Sequence, residues 1–452
     1  MIKILANKHA LSAAIIAAAT LLSGPSLAAV STEEAAKLGD TLTPIGAEKA
    51  GNADGSIPAW TGGLTDKVAR GDNPFADDKP LLTITASNAN EHAAMLSPGQ
   101  LALFKAYPDS YQIPVYPTRR TGAYPQSIYD KAIKNATTAQ LTDSGLGNYD
   151  ESIPFAIPQN GLEVIWNHIT RYRGGSARRN LMQAPVHRNG NYTPVKLTDE
   201  LMYPWYLSDG FDESKDANVQ FYFKQVITAP SRLVGNTLLV HETIDQVAQP
   251  RLAWVYNSGQ RRVRRAPQVA YDGPGTAADG LRTSDNFDMF NGAPDKYDWK
   301  LVGKQEMYIP YNSFEMGSPR HQYSDIIQPG HVNPQLTRYE KHRVWVVEAT
   351  LKEGERHIYA KRTLYVDEDT WQIGVADHYD GRGELWRVGE AHAMQYTDAT
   401  VPWYSAEILH DLQSGRYLAL GLTNEEKDGV TFGFEARHKD FTPAALRRAS
   451  KR

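Results

Sequence analysis

A long stretch of strand-like sequence limits the folds open to this chain more than any other feature. From about residue 218, segments such as 219–226, in which side chains alternate with a period of two, follow one another with turn compositions between them. The turns at 367–369 and 380–383 are short enough to join neighbouring strands as hairpins, which makes those strands antiparallel. The pattern predicts a large antiparallel sheet with an up-and-down strand order.

Helical patterns are strongest before this sheet region. Ser97 followed by Pro98 predicts the start of one helix, and Pro125 predicts the start of a second. Asn160 can cap a third helix, whose apolar residues within 162–169 fall on one face. The sequence therefore predicts a mainly β protein of the α+β class, in which a few helices cover the sheet.

The chain divides into four parts by composition. Lys3, Lys8, an apolar run over 10–22 and small residues up to Ala29 are typical of a secretory signal peptide, so we expect residues 1–29 to be removed on export. The remaining parts are a Pro- and Gly-rich wrapping segment with short helices at 30–150, a β domain at 151–440 and a basic tail at 441–452.

Composition excludes several kinds of protein. The 48 Lys and Arg residues against 52 Asp and Glu give a net charge of −4, so no positive field attracts nucleic acid. The absence of Cys excludes disulfides, thiolate catalysis, Cys-zinc sites and an N-terminal lipid anchor on cysteine. No later segment is long and apolar enough for a transmembrane helix. We expect a periplasmic protein without a membrane anchor.

Several segments resemble a known bacterial family. The hairpin at 254–265 and the strand-turn-strand at 364–386 resemble exported proteins of the outer-membrane lipoprotein-sorting superfamily, the LolA and LolB type. Across nearly the whole mature chain the sequence is more specifically similar to the family called domain of unknown function 1329. The segments 73–75, 116–120 and 157–163 carry that similarity.

The resemblance implies a fold and a setting. It implies a large curved antiparallel sheet that forms an unclosed barrel, with helices covering an apolar cavity. Family members resemble companions of resistance-nodulation-division type transporters and of outer-membrane β-proteins, so such a protein is the expected partner. Two departures weaken a strict analogy with the sorting receptor: this chain cannot be lipidated on Cys, and it carries more than 100 extra N-terminal residues.

Catalytic and metal-binding motifs are missing from the sequence. The chain has no Gly-x-Ser-x-Gly, His-Glu-x-x-His, Walker or EF-hand pattern. Asp367 and Asp369 flank a hairpin and are interpreted as turn formers. Four histidines lack the spacing of metal ligands and are interpreted as surface or hydrogen-bonded residues: His241, His321, His331 and His342. We predict a protein that is not an enzyme, without catalytic residues, metal or cofactor.

Aromatic residues that alternate along predicted strands are the candidates for a ligand cavity. A wide sheet that curls on itself encloses more volume than its own side chains fill. Each buried CH₂ of a ligand contributes roughly 0.8 kcal/mol, so an acyl chain needs no dedicated polar site. The alternative for each residue is an ordinary core packed under helices. The candidates are Phe221, Phe223, Trp254, Tyr256, Trp345 and Val347.

The densest basic cluster inside the fold lies on one predicted hairpin strand. Arg262 and Arg264 point to one face of the strand, and Arg261 and Arg265 point to the other. These arginines are candidates for a surface that contacts a transporter or an anionic lipid head. The alternative is a solvated strand whose arginines pair with carboxylates.

These observations predict a periplasmic, non-enzymatic carrier or chaperone for a hydrophobic ligand, such as a lipid or a lipoprotein acyl chain. The irregular loop at 271–296 is long enough to be functional and is predicted to open for release of the ligand. Two alternatives stay open. One is an adaptor for a transporter or outer-membrane protein that has no cargo, and the other is an enzyme acting on an apolar or glycan substrate.

Overall fold

The computed structural model of the protein describes residues 30–267 and 269–449. The predicted signal peptide at 1–29 lies outside these residues, as do the last three residues of the predicted basic tail.

Strands make up most of the regular structure. The first nine are β1 (Leu82–Ile84), β2 (Ile113–Val115), β3 (Gln140–Leu141), β4 (Leu146–Gly147), β5 (Ser176–Val186), β6 (Val195–Met202), β7 (Val219–Ala229), β8 (Thr237–Thr243) and β9 (Leu252–Asn257). They are followed by β10 (Arg262–Arg265), β11 (Tyr297–Pro310), β12 (Tyr339–Leu351), β13 (Lys361–Asp367), β14 (Ile373–Tyr379), β15 (Leu385–Tyr396), β16 (Val401–Asp411), β17 (Arg416–Leu422) and β18 (Val430–Phe432).

The helices are short. The α-helices are α1 (Thr32–Ala35), α2 (Pro98–Ala106), α3 (Gln126–Thr138), α4 (Gly161–Thr170), α5 (Glu213–Asp216), α6 (Tyr323–Ile326) and α7 (Pro443–Ala449). Turns of 3₁₀ helix lie at Ala89–Met95, Pro204–Tyr206, Ser284–Asn286, Pro294–Lys296, Pro334–Leu336 and His438–Phe441.

One sheet of sixteen strands dominates the fold, and β3 and β4 form a separate two-stranded sheet. Neighbours run in the order β1-β2-β12-β13-β14-β15-β16-β17-β5-β6-β7-β8-β9-β10, while β11 pairs with β12 and β18 pairs with β5. Strands β12 to β17 and β5 to β10 are thus two antiparallel meanders, joined where β17 pairs with β5. Within the described residues the end strands do not pair with each other, so the barrel is not closed. This arrangement confirms the predicted fold class.

The sheet curls around a single main core. Residues from strands far apart in the sheet order, such as Ala253 on β9 and Val347 on β12, belong to the same cluster of buried side chains. Helix α4 inserts its apolar stripe into this cluster through Val164, Ile165 and Ile169. The helix begins as predicted, because the Asn160 side chain accepts a hydrogen bond from the Glu163 backbone N–H at 3.0 Å.

Residues 30–150 pack onto this sheet along their length. Strands β1 and β2 extend the sheet edge, and α2 packs against β14 and β15. The guanidinium of Arg120 is buried in an ion pair with Asp369, with Nη2 at 2.6 Å from Oδ1. The segment therefore shares buried charge and strand pairing with the β domain.

The outer face of the β7–β9 region is covered as well. Helix α7 packs there, with Leu446 fully buried beside Tyr222, Leu239 and Trp254. Both faces of the sheet are consequently apolar in this region.

Candidate functional site

A cleft opens at the inner face of β7 and β8. The space inside it that the centre of a water-sized sphere can reach is about 60 Å³. The wall opposite the strands is part of the segment 271–296, which we call the 271–296 loop. Apolar side chains on both walls are Phe221, Phe223, Leu238, Val240, Val269 and Phe287.

Strand pairing explains why these strand residues face the cleft. Phe223 lies opposite Val240, and Gln225 lies opposite Leu238, so their side chains share one face of the antiparallel pair. The intervening Tyr222 points to the outer face, where its ring stacks on Phe441. The alternation seen in the sequence thus produces one apolar inner wall.

The 271–296 loop lies inside the curl of the sheet and forms the other wall. The Phe287 ring lies 5.3 Å from the Phe223 ring, centroid to centroid, and 6.5 Å from the Phe221 ring. Met289 and Phe290 are almost fully buried in the main core. A ligand longer than the present cleft can therefore be bound only if this loop moves.

Buried charges hold the loop in place. The Asp288 carboxylate accepts hydrogen bonds from Arg171 Nη2 at 2.6 and 2.7 Å, and Arg173 Nε lies 2.6 Å from Asp288 Oδ2. All three side chains are completely buried. Burial alone would raise the pKa of Asp288, but the two guanidinium groups outweigh it and hold that pKa well below its usual range. The carboxylate is thus the ionic link between the loop and the end of α4.

Polar groups of the cleft are mostly paired. Arg251 donates from Nε to Glu242 Oε1 at 2.9 Å, and its Nη2 lies 2.9 Å from Glu242 Oε2. Burial raises the pKa of Glu242, and the charge of Arg251 opposes that rise. Arg282 is different: its Nε has no hydrogen-bond partner among the residues described. Burial lowers the pKa of the Arg282 guanidinium, and the Glu407 carboxyl opposes that change.

Four of the six predicted cavity residues lie on the inner face. Phe221 and Phe223 line the cleft itself. Val347 lies fully buried in the main core, and Trp345 stacks on Trp371 with ring centroids 6.2 Å apart. Trp345 and Val347 are part of the packing under α4 and are not lining residues of the cleft.

The structure places Trp254 and Tyr256 on the opposite, outer face. They pack in the cluster beneath α7, and the Trp254 ring also contacts His241 at 4.9 Å between centroids. Alternation along β9 shows that two residues share a face, but it does not show which face is concave. Because the outer face is also apolar here, the sequence offered no way to distinguish the two.

The predicted partner surface lies at the edge of the sheet. Strand β10 is an end strand, and all four arginines on or beside it are exposed. The Arg265 guanidinium lies 5.3 Å from the centroid of the Trp254 ring. Arginines on an edge strand also discourage pairing with another chain. The set comprises Arg261, Arg262, Arg264 and Arg265.

A second buried polar cluster has the dimensions of a metal site. One ligand atom from each of His342, Asp367 and Asp369 lies within 4.8 Å of the others. Arg120 already binds both oxygens of Asp369, at 2.9 and 2.6 Å. Burial alone would lower the pKa of His342, but the carboxylates of Asp369 and Glu340 beside its ring raise it to about 9. Arg120 and protonated His342 thus already supply positive charge to these carboxylates. A metal ion would have to displace Arg120 and the His342 proton.

Three groups of the cleft were missed by reasoning from sequence. Glu242 and Arg251 form its buried ion pair, and Arg282 is its unpaired cation. For Arg282 the signal was the length of the 271–296 loop, which gave no information on which residues face inward. Glu242 on β8 and Arg251 before β9 lie outside that loop, and their positions had no signal in the sequence. Within the described residues, no helix is long and apolar enough to cross a membrane.

Comparisons with known proteins agree on the family. The family model described as "Protein of unknown function (DUF1329)" matches residues 83–447. A curated relative, uncharacterized protein PA3922 of Pseudomonas aeruginosa, is 61% identical over 445 residues, which cover 97% of this chain and 98% of that protein.

Solved structures with similar folds are more distant. A DUF1329 family protein from Desulfovibrio piger is 15% identical with a TM-score of 0.45, covering 63% of this chain and 97% of that one. The LolA superfamily protein NE2245 from Nitrosomonas europaea is 13% identical with a TM-score of 0.38, covering 63% of this chain and 98% of that one.

Proposed function

Since the chain belongs to the DUF1329 family of proteins of unknown function, we propose that it is a non-enzymatic carrier that binds a hydrophobic ligand in the cleft. The ligand class is a lipid, a lipoprotein acyl chain or a similar apolar molecule. The observation that carries the proposal is the apolar wall of Phe221, Phe223 and Phe287 inside a sheet that curls without closing. Such a wall binds by removing apolar surface from water and needs few polar contacts.

The binding free energy expected for an acyl chain suits reversible transfer of the ligand. Burial of each CH₂ contributes roughly 0.8 kcal/mol, so an acyl chain of ten or so carbons gains several kcal/mol from the walls alone. Part of that gain is offset by the loss of translational and conformational freedom on binding. The ligand can then leave by partition into a partner with a comparable apolar surface.

The 271–296 loop is the movable element in this proposal. Its phenylalanine Phe287 covers the cleft, and Asp288 ties the loop to Arg171 and Arg173. Displacement of Phe287 alone widens the cleft, whereas displacement of Asp288 also breaks two buried ion pairs. Asp285 of the same loop is also fixed, by an ion pair with the buried Arg362. We therefore place the opening motion at the Phe287 side chain, between the fixed residues Asp285 and Asp288.

We place the carrier in the periplasm. The predicted signal peptide at 1–29 and the absence of Cys suit an exported protein that moves between membranes without a lipid anchor on cysteine. The proposed partner is a resistance-nodulation-division type transporter or an outer-membrane β-protein. The exposed arginines of β10 are the proposed contact surface.

Binding of N-phenyl-1-naphthylamine, a probe that fluoresces in apolar sites, tests the carrier function. The wild-type protein is expected to bind the probe, and Phe223→Asp is expected to weaken binding about 10- to 100-fold, because a buried phenylalanine contributes roughly 1.5–3 kcal/mol. Val226→Asp is the matched control, since Val226 is half-buried on the outer face of the same strand. Equal binding by both folded variants would contradict the proposal.

A cargo-free adaptor is the second candidate function. The observation that favours it is that Met289 and Phe290 of the loop fill part of the main core, in the space inside the curl of the sheet. In that case the wild-type protein binds no apolar probe, while replacement of Arg262 and Arg264 by Glu still abolishes capture of the transporter.

A further inference from the structure

The cleft contains a buried cation that no side chain of the described residues neutralises. Arg282 is only 7% exposed, yet it takes part in no ion pair within the part of the chain that the structure describes. Its Nε atom also lacks a hydrogen-bond partner there. Buried arginines elsewhere in the fold, such as Arg171 and Arg362, bind aspartates directly. Burial of an unpaired charge costs free energy, so we expect a bound ligand to supply the counter-charge for Arg282.

The nearest carboxyl groups are occupied. Asp199 accepts hydrogen bonds from Arg179 at 3.1 Å and from Gln225 at 2.9 Å. Glu407 accepts one from the Met289 backbone N–H at 2.6 Å. Burial and the charge of Asp288 raise the pKa of Glu407 to about 8, so it is largely protonated at neutral pH. Neither group is a full counter-ion for Arg282.

The charges on the cleft lining sum to one positive charge. The ionisable side chains of the lining are Glu242, Arg251 and Arg282. Glu242 and Arg251 neutralise each other in their ion pair. The charge that remains is that of the Arg282 guanidinium, in a cleft whose walls are otherwise largely apolar.

The backbone beside Arg282 leaves room for its guanidinium. A Cβ atom on Gly275 would lie 2.9 Å from Arg282 Nε and 3.1 Å from Nη2. The missing side chain at Gly275 thus lets the guanidinium lie against the backbone within the cleft. Any larger residue at 275 would push it away without changing its charge.

We propose that the ligand of this cleft is an amphiphile with a carboxylate head, and that Arg282 binds the carboxylate while the apolar walls bind the chain. This inference rests on the proposed carrier function and adds the head group. A guanidinium presents two parallel N–H donors that match the two oxygens of a carboxylate. One unpaired arginine supplies one positive charge, which balances a carboxylate, whereas a phosphate monoester carries about −1.5 to −2 at neutral pH.

A matched pair of twelve-carbon compounds separates the head from the chain. Calorimetric titration at pH 7 compares dodecanoate with dodecan-1-ol, and acetate serves as the head without a chain. The Gln225 Oε1 atom, which is also unpartnered, can accept a hydrogen bond from the alcohol. We expect dodecanoate to bind the wild-type protein at least about tenfold more tightly than the alcohol, because hydrogen bonds to charged groups are the stronger ones. Acetate is expected not to bind measurably.

Variants of the protein test whether the difference in affinity between dodecanoate and dodecan-1-ol depends on Arg282. Arg282→Gln is expected to weaken dodecanoate binding about 10- to 100-fold while changing dodecan-1-ol binding less than about twofold. Gly275→Ala moves the guanidinium but keeps its charge, and it is expected to weaken dodecanoate binding alone. The control is Arg382→Gln, which removes an exposed arginine of the turn between β14 and β15 and leaves both affinities unchanged.

The possible results distinguish the proposed carboxylate head group from the proposed carrier function. Equal affinities of the wild-type protein for the acid and the alcohol would overturn the carboxylate head and leave the carrier function standing. An equal loss of both ligands in folded Arg282→Gln would have the same meaning. If neither compound binds the wild-type protein, both the head group and the carrier function are refuted. The wild-type comparison needs no variant, so it holds even if Arg282→Gln does not fold.

Discussion

Replacement of Asp288 by asparagine tests whether buried charge fixes the 271–296 loop. The carboxylate binds Arg171 and Arg173, and none of the three side chains is exposed. The substitution Asp288→Asn keeps the size of the side chain but leaves two buried guanidinium groups without their counter-ion.

The expected loss follows from that geometry. Removal of one partner of a buried ion pair destabilises a protein by about 3–5 kcal/mol. An unfolding entropy of roughly 2.1 cal/mol/K per residue, taken over 452 residues, gives about 0.9 kcal/mol/K. The variant is therefore expected to melt about 3–5 °C below the wild-type protein, with the melting followed by circular dichroism.

The pH dependence has a defined sign. The pKa of Asp288 is depressed in the folded protein by the two arginines, against the effect of burial. Its contribution is therefore fully present above the unfolded value of about 3.9 and is lost as the pH falls further. The difference in stability between wild-type and Asp288→Asn should stay constant from pH 5 to 7 and shrink below about pH 4.

A control on the same loop separates anchoring from a general effect. Asp279 pairs with Arg416 at the surface, and its side chain is 64% exposed. Asp279→Asn is expected to change the stability by less than about 1 kcal/mol, because exposed ion pairs contribute little. If Asp288→Asn cost no more than Asp279→Asn, the ion pairs of Asp288 with Arg171 and Arg173 would not anchor the loop.

Three further substitutions test other parts of the fold. Gly46→Ala should lower the free energy of unfolding in urea by about 2–5 kcal/mol. Gly46 has φ +95°, and a Cβ there would lie 1.6 Å from the Ala156 carbonyl oxygen. An unchanged urea midpoint would show that residues 30–150 do not share the unfolding transition. Asn160→Ala should cost about 1 kcal/mol in the same assay through loss of the α4 cap. His342 has a pKa raised to about 9 in the folded protein, so its contribution is present below about pH 6.5 and is lost as the pH rises through 9. The melting temperature of His342→Gln should consequently fall less between pH 7 and 9.5 than that of the wild-type protein.

Local signals in the sequence were sufficient for the helix starts. Ser97 caps α2 in a capping box with Gln100, and Asn160 caps α4. Each of these contacts joins residues three positions apart, so a short stretch of sequence determines it. Strands β13, β14 and β15 were predicted from local signals as well, because the short turns at 367–369 and 380–383 separate them.

Strands without alternation were missed. Every residue of β16 is buried, which removes the difference between inner and outer positions along the strand. Strand β5 pairs on both sides in the middle of the sheet. It contains Arg178 and Arg179, and two adjacent charged residues are not typical of a central strand. Arg179 is nevertheless almost fully buried, since it binds Asp199 and contacts the Trp403 ring.

The candidate site depended on contacts that are distant in sequence. The length of 271–296 indicated a functional loop, but its burial follows from the pairing of Asp288 with Arg171, 117 residues away. The unpaired state of Arg282 likewise depends on which partners its neighbours Asp199 and Glu407 have found. Such competition for partners is a property of the folded arrangement and leaves no local pattern in the sequence.

Native mass spectrometry of the protein made in a bacterial periplasm shows whether the cleft holds a cargo, and organic extraction identifies any small molecule bound to it. We expect a stoichiometric apolar adduct on the mature chain that is lost in Phe223→Asp and retained in Val226→Asp. A ligand-free mass that persists after exposure to an envelope lipid extract would contradict the claim that the cleft between β7, β8 and the 271–296 loop holds a cargo.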